Sequence, residues 1–181
     1  MKTFDEKVNW IIAQHEATNH QYDKYLPYEF HLRMVNQVAK EFIQLIHDIN
    51  YGPDSETLRN CVLLTAFGHD LIEDTRVSYN DVKEVLGYQV ADMVYALTNE
   101  KGKTRKERAN DKYYDGIREV EGATFVKLCD RIANVRYGKI TGSRMVKMYQ
   151  KENADFIQKL GYNDKHELKV MFDYLINLFE D

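Results

Sequence analysis

Cys61-Val62-Leu63-Leu64-Thr65-Ala66-Phe67-Gly68-His69-Asp70-Leu71-Ile72-Glu73-Asp74-Thr75 is the stretch from which the rest of the chain can be read. Its first half is almost wholly apolar, as a central buried helix requires. Its second half sets one imidazole and three carboxylates into six consecutive positions, 69 to 74. On a helix turning about 100° per residue, His69 lies roughly 40° from Glu73 and Asp70 the same from Asp74, so all four share an arc of about 140°. Three carboxylates held that close repel one another. The simplest compensation is a bound cation, which also uses the imidazole nitrogen, so the stretch predicts a metal site at the end of a core helix.

Working outward, the flanking segments also read as helices. Phe4, Val8, Ile11, Ile12 and His15 recur at helical spacing and predict an amphipathic helix that frays by Asn19. Residues 20–27 lack an apolar period and end in Pro27, which predicts a loop. A second helix is expected over 28–49, with His31, Met34, Val35, Val38, Phe42, Leu45 and Ile46 on one stripe. Tyr51-Gly52-Pro53-Asp54-Ser55 reads as a turn, with Asp54 or Ser55 capping the central helix, which is expected to run on to Thr75 or Arg76.

Beyond it, Ser78 and Asp81 have the spacing of a capping box for a short helix to Leu86, broken by Gly87. Val90, Met93, Val94 and Leu97 mark another helix. Residues 101–108 carry five basic side chains in eight positions, with Thr104 and Glu107 spaced as a second capping box; they read as a solvated loop running into an exposed helix or as a phosphate-binding rim. On a helix over 123–137, Phe125, Leu128, Cys129, Ile132 and Val135 form an apolar stripe, and Lys127, Asp130, Asn134 and Tyr137 share the opposite one. Met145, Met148, Tyr149, Phe156 and Leu160 follow after Gly138 and Gly142, and a last helix carries Leu168, Met171, Phe172, Leu175, Ile176 and Phe179, entered through Asp164 and Glu167. No strand-like alternation of useful length intervenes, so the expected fold is all-α, a compact multi-helix array forming one domain over 1–181.

Composition restricts the function. Apolar residues make up 44% and charged residues 30%, ordinary for a globular domain, and a net charge of −4 gives no global field for nucleic acid. No run of about 18 apolar residues suggests a membrane span, and the early charges argue against a signal peptide, so a cytoplasmic protein is expected. Cys61 and Cys129 each fall within an apolar pattern and read as reduced core residues.

Placing His31, His69, Asp70 and Asp130 around one ion supplies two nitrogens and two carboxylates, a set suited to Mn²⁺, Fe²⁺ or Zn²⁺ more than to Ca²⁺. An octahedral ion would keep two positions for water and a substrate oxygen. Glu73 and Asp74 exceed what one such ion needs and are assigned to proton transfer at the water, without dividing the role. No histidine lies between Asp70 and Asp130, which argues for a single metal. Of the remaining histidines, His20 stands apart because it sits in the loop before the His31 helix.

The order His31, His69-Asp70, Asp130 on an all-α chain resembles the HD-domain phosphohydrolases. His69-Asp70-Leu71-Ile72-Glu73-Asp74-Thr75 is similar to the HDxxED signature of the (p)ppGpp hydrolase domains of RelA/SpoT homologues and their small single-domain relatives. Tyr28-Glu29-Phe30-His31 matches their YxxH segment, and Val126-Lys127-Leu128-Cys129-Asp130-Arg131-Ile132-Ala133-Asn134-Val135-Arg136 their VKLADRxxNxR segment. The resemblance implies Mn²⁺-dependent release of pyrophosphate from the ribose 3′ position of guanosine tetra- or pentaphosphate. It makes Asn134, Lys101 and Arg144 candidate substrate contacts and implies a small-molecule nucleotide partner, neither nucleic acid nor membrane. The family's Arg-Lys pair before the first ligand is replaced here by Gln21-Tyr22-Asp23-Lys24, where Tyr22 could stack on a base. Leu32 stands in place of the usual proline. Two alternatives go with this reading: a phosphatase of nucleoside monophosphates or NADPH, and a nucleotide sensor without catalysis.

Overall fold

The computed structural model describes residues 2–47 and 57–180. Helix α1 (Phe4–Glu16) opens on a capping box between Thr3 and Glu6 and buries Val8, Ile11, Ile12 and His15. The expected loop at 20–27 contains a two-stranded ribbon, β1 (Gln21–Tyr22) against β2 (Leu26–Pro27). Two residues per strand are too few to show alternation in a sequence.

Helix α2 (Tyr28–Phe42) passes into a 3-10 turn at Ile43–Leu45, so it ends earlier than the apolar stripe suggests. Ile46 is nevertheless buried, because the turn carries the stripe on. The turn at 51–55 lies outside the described residues. The cap of helix α3 (Leu58–Gly68) is Thr57, whose side chain accepts the Asn60 N–H at 3.3 Å, and not Asp54 or Ser55.

The largest departure from the sequence reading falls at the motif itself. Helix α3 stops at Gly68, Asp70 takes φ −101° and ψ 5°, and a one-turn helix α4 (Leu71–Asp74) starts afresh. A continuous helix would hold four polar groups on one arc, and the break lets them separate toward different partners. Helices α5 (Tyr79–Leu86) and α6 (Tyr88–Leu97) follow, with the Ser78–Asp81 capping box as expected and Gly87 between them at φ +101°.

Thr104 accepts the Glu107 N–H at the start of the short helix α7 (Arg105–Arg108), while the Glu107 carboxylate takes the Lys103 N–H, so the second capping box is half formed. Residues 101–108 are exposed throughout, so the basic run is a solvated loop leading into the exposed turn of α7. Helix α8 (Asp111–Glu119), not picked out from the sequence, buries Tyr113, Tyr114 and Ile117. Its tyrosines read as polar and hid its apolar face. Helix α9 (Ala123–Thr141) begins after Gly122 and ends at Gly142, both left-handed. It runs straight through Gly138, where a side chain would meet Val146 of helix α10 (Met145–Lys159) at 2.6 Å. A 3-10 turn at His166–Leu168 leads into α11 (Lys169–Asn177).

One buried cluster joins these helices. Helices α2, α3 and α9 form its centre; α1 covers α3, α5 and α6 pair on one side, and α10 and α11 lie along α9. Cys61 and Cys129 are buried thiols, as expected. Among the described residues no helix is long and apolar enough to cross a membrane.

Candidate metal centre

Three helices meet at one end of the core. His31 comes from the first turn of α2, His69 from the cap position just after α3 and Asp130 from the middle of α9. Donor atoms of these three side chains lie within 4.8 Å of one another. His31 Nε2 is 3.4 Å from Asp130 Oδ1, and His69 Nε2 is 3.8 Å from the same oxygen. Asp70 flanks the triad, with Oδ2 2.9 Å from His69 Nε2 and 4.0 Å from His31 Nε2, and the Tyr28 hydroxyl donates to it.

The fit to a cation rests on the imidazoles. His69 Nδ1 lies 3.1 Å from the Ala66 carbonyl, so Nδ1 carries the proton and Nε2 presents a lone pair. That Nε2 is buried and, although Asp70 Oδ2 lies 2.9 Å away, the two do not meet in hydrogen-bond geometry; an ion shared between them resolves such an arrangement. The His31 ring is held by stacking on Tyr22, 4.8 Å between centroids and 10° from parallel. Two imidazoles with neighbouring carboxylates are a donor set for a divalent transition ion.

Electrostatics agree. Burial lowers the proton affinity of His69, but Asp70 outweighs it and brings the imidazole up to about 9. Burial disfavours the charge on Asp70 and Asp130 as well, yet His69 holds Asp70, and Lys127 holds Asp130, below the usual carboxylate range. Asp70 and Asp130 with Lys127 leave one negative charge over, which a proton on His69 Nε2 offsets and which a cation would offset in its place, freeing the Nε2 lone pair. Lys127 Nζ sits 3.3 Å from Asp130 Oδ2, and Tyr113 with Asp130 and Asp70 keeps it charged against the cost of burial.

Each remaining candidate has a definite place. Asn134 donates to Asp130 Oδ1 at 2.6 Å and accepts from the Tyr22 hydroxyl at 2.9 Å. Tyr22 therefore spends one ring face on His31 and its hydroxyl on Asn134. Glu73 takes the Asn99 side-chain amide on both oxygens at 2.8 Å. Asp74 faces His20 instead; burial first, then Asp70 and Glu73, push its carboxyl up to about 7.

A cavity of about 220 Å³ opens over the centre. Its lining includes His31, Asp70, Asp130, Glu73 and Asp74 together with a cationic set, Arg105, Arg108 and Arg131, and Tyr149. Arg131 is buried, stacked over Phe156 at 3.9 Å and Tyr149 at 4.5 Å, and its Nη1 has no hydrogen-bond partner. Lys101 and Arg144 are exposed and outside this cavity; Lys101 lines a separate groove with Tyr95 and Lys112. From the basic run it is Arg105 and Arg108 that reach the site. Lys127 and Arg131 could have been found in the sequence, since they flank Asp130 on its own helix, whereas Asn99 has no local signal at all.

No protein-family model matches the chain. A segment of 75 residues, 41% of this chain, is 32% identical to 42% of the guanosine-3′,5′-bis(diphosphate) 3′-pyrophosphohydrolase MESH1 of Drosophila melanogaster. Over 131 residues, 72% of this chain, it is 25% identical to 66% of the protein of the same name from Danio rerio. The match thus spans less than half the length of the fly relative. Among solved structures, a metazoan orthologue of SpoT, which hydrolyses ppGpp and plays a role in starvation responses, shares the fold with a TM-score of 0.67, covering 96% of this chain and 93% of that one at 22% identity. The sequence likeness agrees with the resemblance read from the motifs, and the structural likeness bears out the all-α fold.

Proposed function

We propose that this chain is a metal-dependent phosphohydrolase that releases pyrophosphate from the ribose 3′ position of guanosine tetra- or pentaphosphate. The observation that carries the reading is the cluster of His31, His69 and Asp130 donor atoms within 4.8 Å of one another, flanked by Asp70, under a cavity that is also lined by arginines. The relatives' names supply the nucleotide; the cationic lining supports it, because a pyrophosphate needs more than one cationic contact.

His31, His69, Asp70 and Asp130 would hold the ion, Mn²⁺ in our reading, with Fe²⁺ or Zn²⁺ as the other ions these donors suit. Bound there, a divalent ion acidifies a water molecule and polarises a phosphoryl oxygen. The rest is done by the chain. Asn134 and Lys127 fix Asp130 from two sides. Arg105, Arg108 and Arg131 bind and orient phosphate oxygens, and Lys101 and Arg144 are assigned to parts of a nucleotide that project beyond the cavity. Glu73 and Asp74 are assigned to proton transfer at the attacking water, and the Asp74 carboxyl, pushed up to about 7, is suited both to accept and to return a proton. Tyr22 closes the side where the base would enter. The buried thiols of Cys61 and Cys129 support a reducing compartment, and we assign the protein to the cytoplasm as a single domain.

The test is the purified protein with Mn²⁺ against ppGpp, pppGpp, GDP, NADPH and deoxynucleoside monophosphates, with pyrophosphate and phosphate read separately. Pyrophosphate from the first two alone is expected. Phosphate from the others makes it a phosphatase, and metal binding with no turnover on any of them makes it a sensor. Asp70→Ala is expected to abolish metal binding and activity together, whereas Glu73→Ala loses about 10²-fold in kcat and keeps the metal.

A further inference from the structure

His20 is a half-buried imidazole outside the ligand set, yet its position is closely determined. Its N–H donates to the His15 carbonyl at 3.1 Å, and its carbonyl accepts the Tyr28 N–H at 3.3 Å. Its ring lies flat on Tyr28, with centroids 3.6 Å apart and planes 16° from parallel. Of its two ring nitrogens, Nδ1 faces His15 Nδ1 at 3.1 Å and Nε2 faces Asp74 Oδ2 at 3.7 Å.

We infer that His20 is a positioning residue for the hydrolysis: a neutral imidazole that presents its Nε2–H to Asp74 Oδ2, orients that carboxylate and leaves its other oxygen to handle the proton. The inference rests on the hydrolase reading above. Its core is the tautomer. One proton must lie between the two Nδ1 atoms. If His15 donates it, His20 accepts at Nδ1 and carries its own proton at Nε2, toward Asp74. In the reverse arrangement His20 Nε2 would turn a lone pair on a carboxylate oxygen. His15 would then carry an N–H at its Nε2, which is buried with no partner. A buried donor without an acceptor is rarer and more costly than an unfilled lone pair. His15 therefore sets the tautomer of His20 from the far side. Burial also holds His15 neutral, with its proton affinity brought down to about 4, so it does not act as a second cation.

This arrangement divides the two carboxylates. Both oxygens of Glu73 are occupied by Asn99, while Asp74 has one oxygen 3.7 Å from His20 Nε2, just beyond direct hydrogen-bond length, and the other free of protein partners among the described residues. Hydrolysis forms one bond from phosphorus to the water oxygen and breaks the phosphate ester bond. One proton leaves the water and one arrives at the leaving oxygen. Asp74, its Oδ2 turned toward His20, takes the first on Oδ1 and gives it to the leaving oxygen, ending as it began.

With the full chain, Mn²⁺ and ppGpp, His20→Ala is expected to lower kcat about 10²-fold with KM and Mn²⁺ affinity within about twofold. Imidazole added to that variant should restore part of kcat, and His20→Gln, whose amide donates from a similar reach, should retain more than His20→Ala. The ¹⁵N spectrum of His20 in the unmodified protein should show the Nε2–H tautomer. An undiminished kcat in His20→Ala, or the Nδ1–H tautomer, overturns the inference and leaves the hydrolase reading standing. Absence of turnover in the unmodified chain overturns that reading and the inference with it. If far-UV circular dichroism shows His20→Ala unfolded, His20→Gln and the tautomer decide the matter.

Discussion

At the scale of single residues, the centre depends on side chains that do not themselves face a cation. Asn134 is the clearest, because its amide holds Asp130 while its oxygen holds Tyr22, which in turn stacks on His31. Asn134→Ala should therefore weaken Mn²⁺ binding about 10- to 100-fold, the usual cost of removing a group that orients a ligand, as titration calorimetry would read. Unchanged affinity would mean that Asn134 serves the substrate alone. His15 ties the site to folding. Its folded proton affinity lies near 4, below the ordinary 6.5, so the folded chain resists protonation and the unfolded chain does not. The neutral form's contribution is complete above pH 6.5 and is lost as pH falls toward 4. Urea unfolding at pH 7 and pH 5 should show this loss reduced in His15→Asn by about 2 kcal/mol.

At the scale of elements, the helices could largely be read from apolar spacing, and the exceptions have local causes. The Ser78–Asp81 box, the Gly87 break and both stripes of α9 stand where side-chain chemistry puts them. The break between α3 and α4 was not legible, because His69 and Asp70 have no strong preference against helix and their partners come from other elements. The start of α9 is set by Gly122, at φ +83°, where an added Cβ would lie 2.8 Å from Val62 Cγ1 and 2.9 Å from Met93 Sδ. Gly122→Ala combines a disfavoured backbone with a core clash and should cost about 2 kcal/mol or more in urea unfolding. A neutral outcome would mean that α3 and α6 give way at little cost.

At the scale of the whole molecule, α2, the end of α3 and α9 each bring one member of the triad, so an ion bound there would link the three central helices. Mn²⁺ at a hundred times its Kd should stabilise the fold by about 2.7 kcal/mol and raise Tm, EDTA should reverse the rise, and Asp70→Ala should not respond. The sequence by itself determined the all-α class, the buried faces and the crowding of His69, Asp70, Glu73 and Asp74, because helical periodicity and charge crowding are local properties of neighbouring residues. Only the tertiary structure decided the divergence of Glu73 toward Asn99 and Asp74 toward His20, and the choice of Arg105, Arg108 and Arg131 over Lys101 as the cavity's cationic lining. The physical reason is the same in each case: a side chain's charge can be read from its letter, but the partner that fixes its direction lies on another helix, brought there by packing of the core.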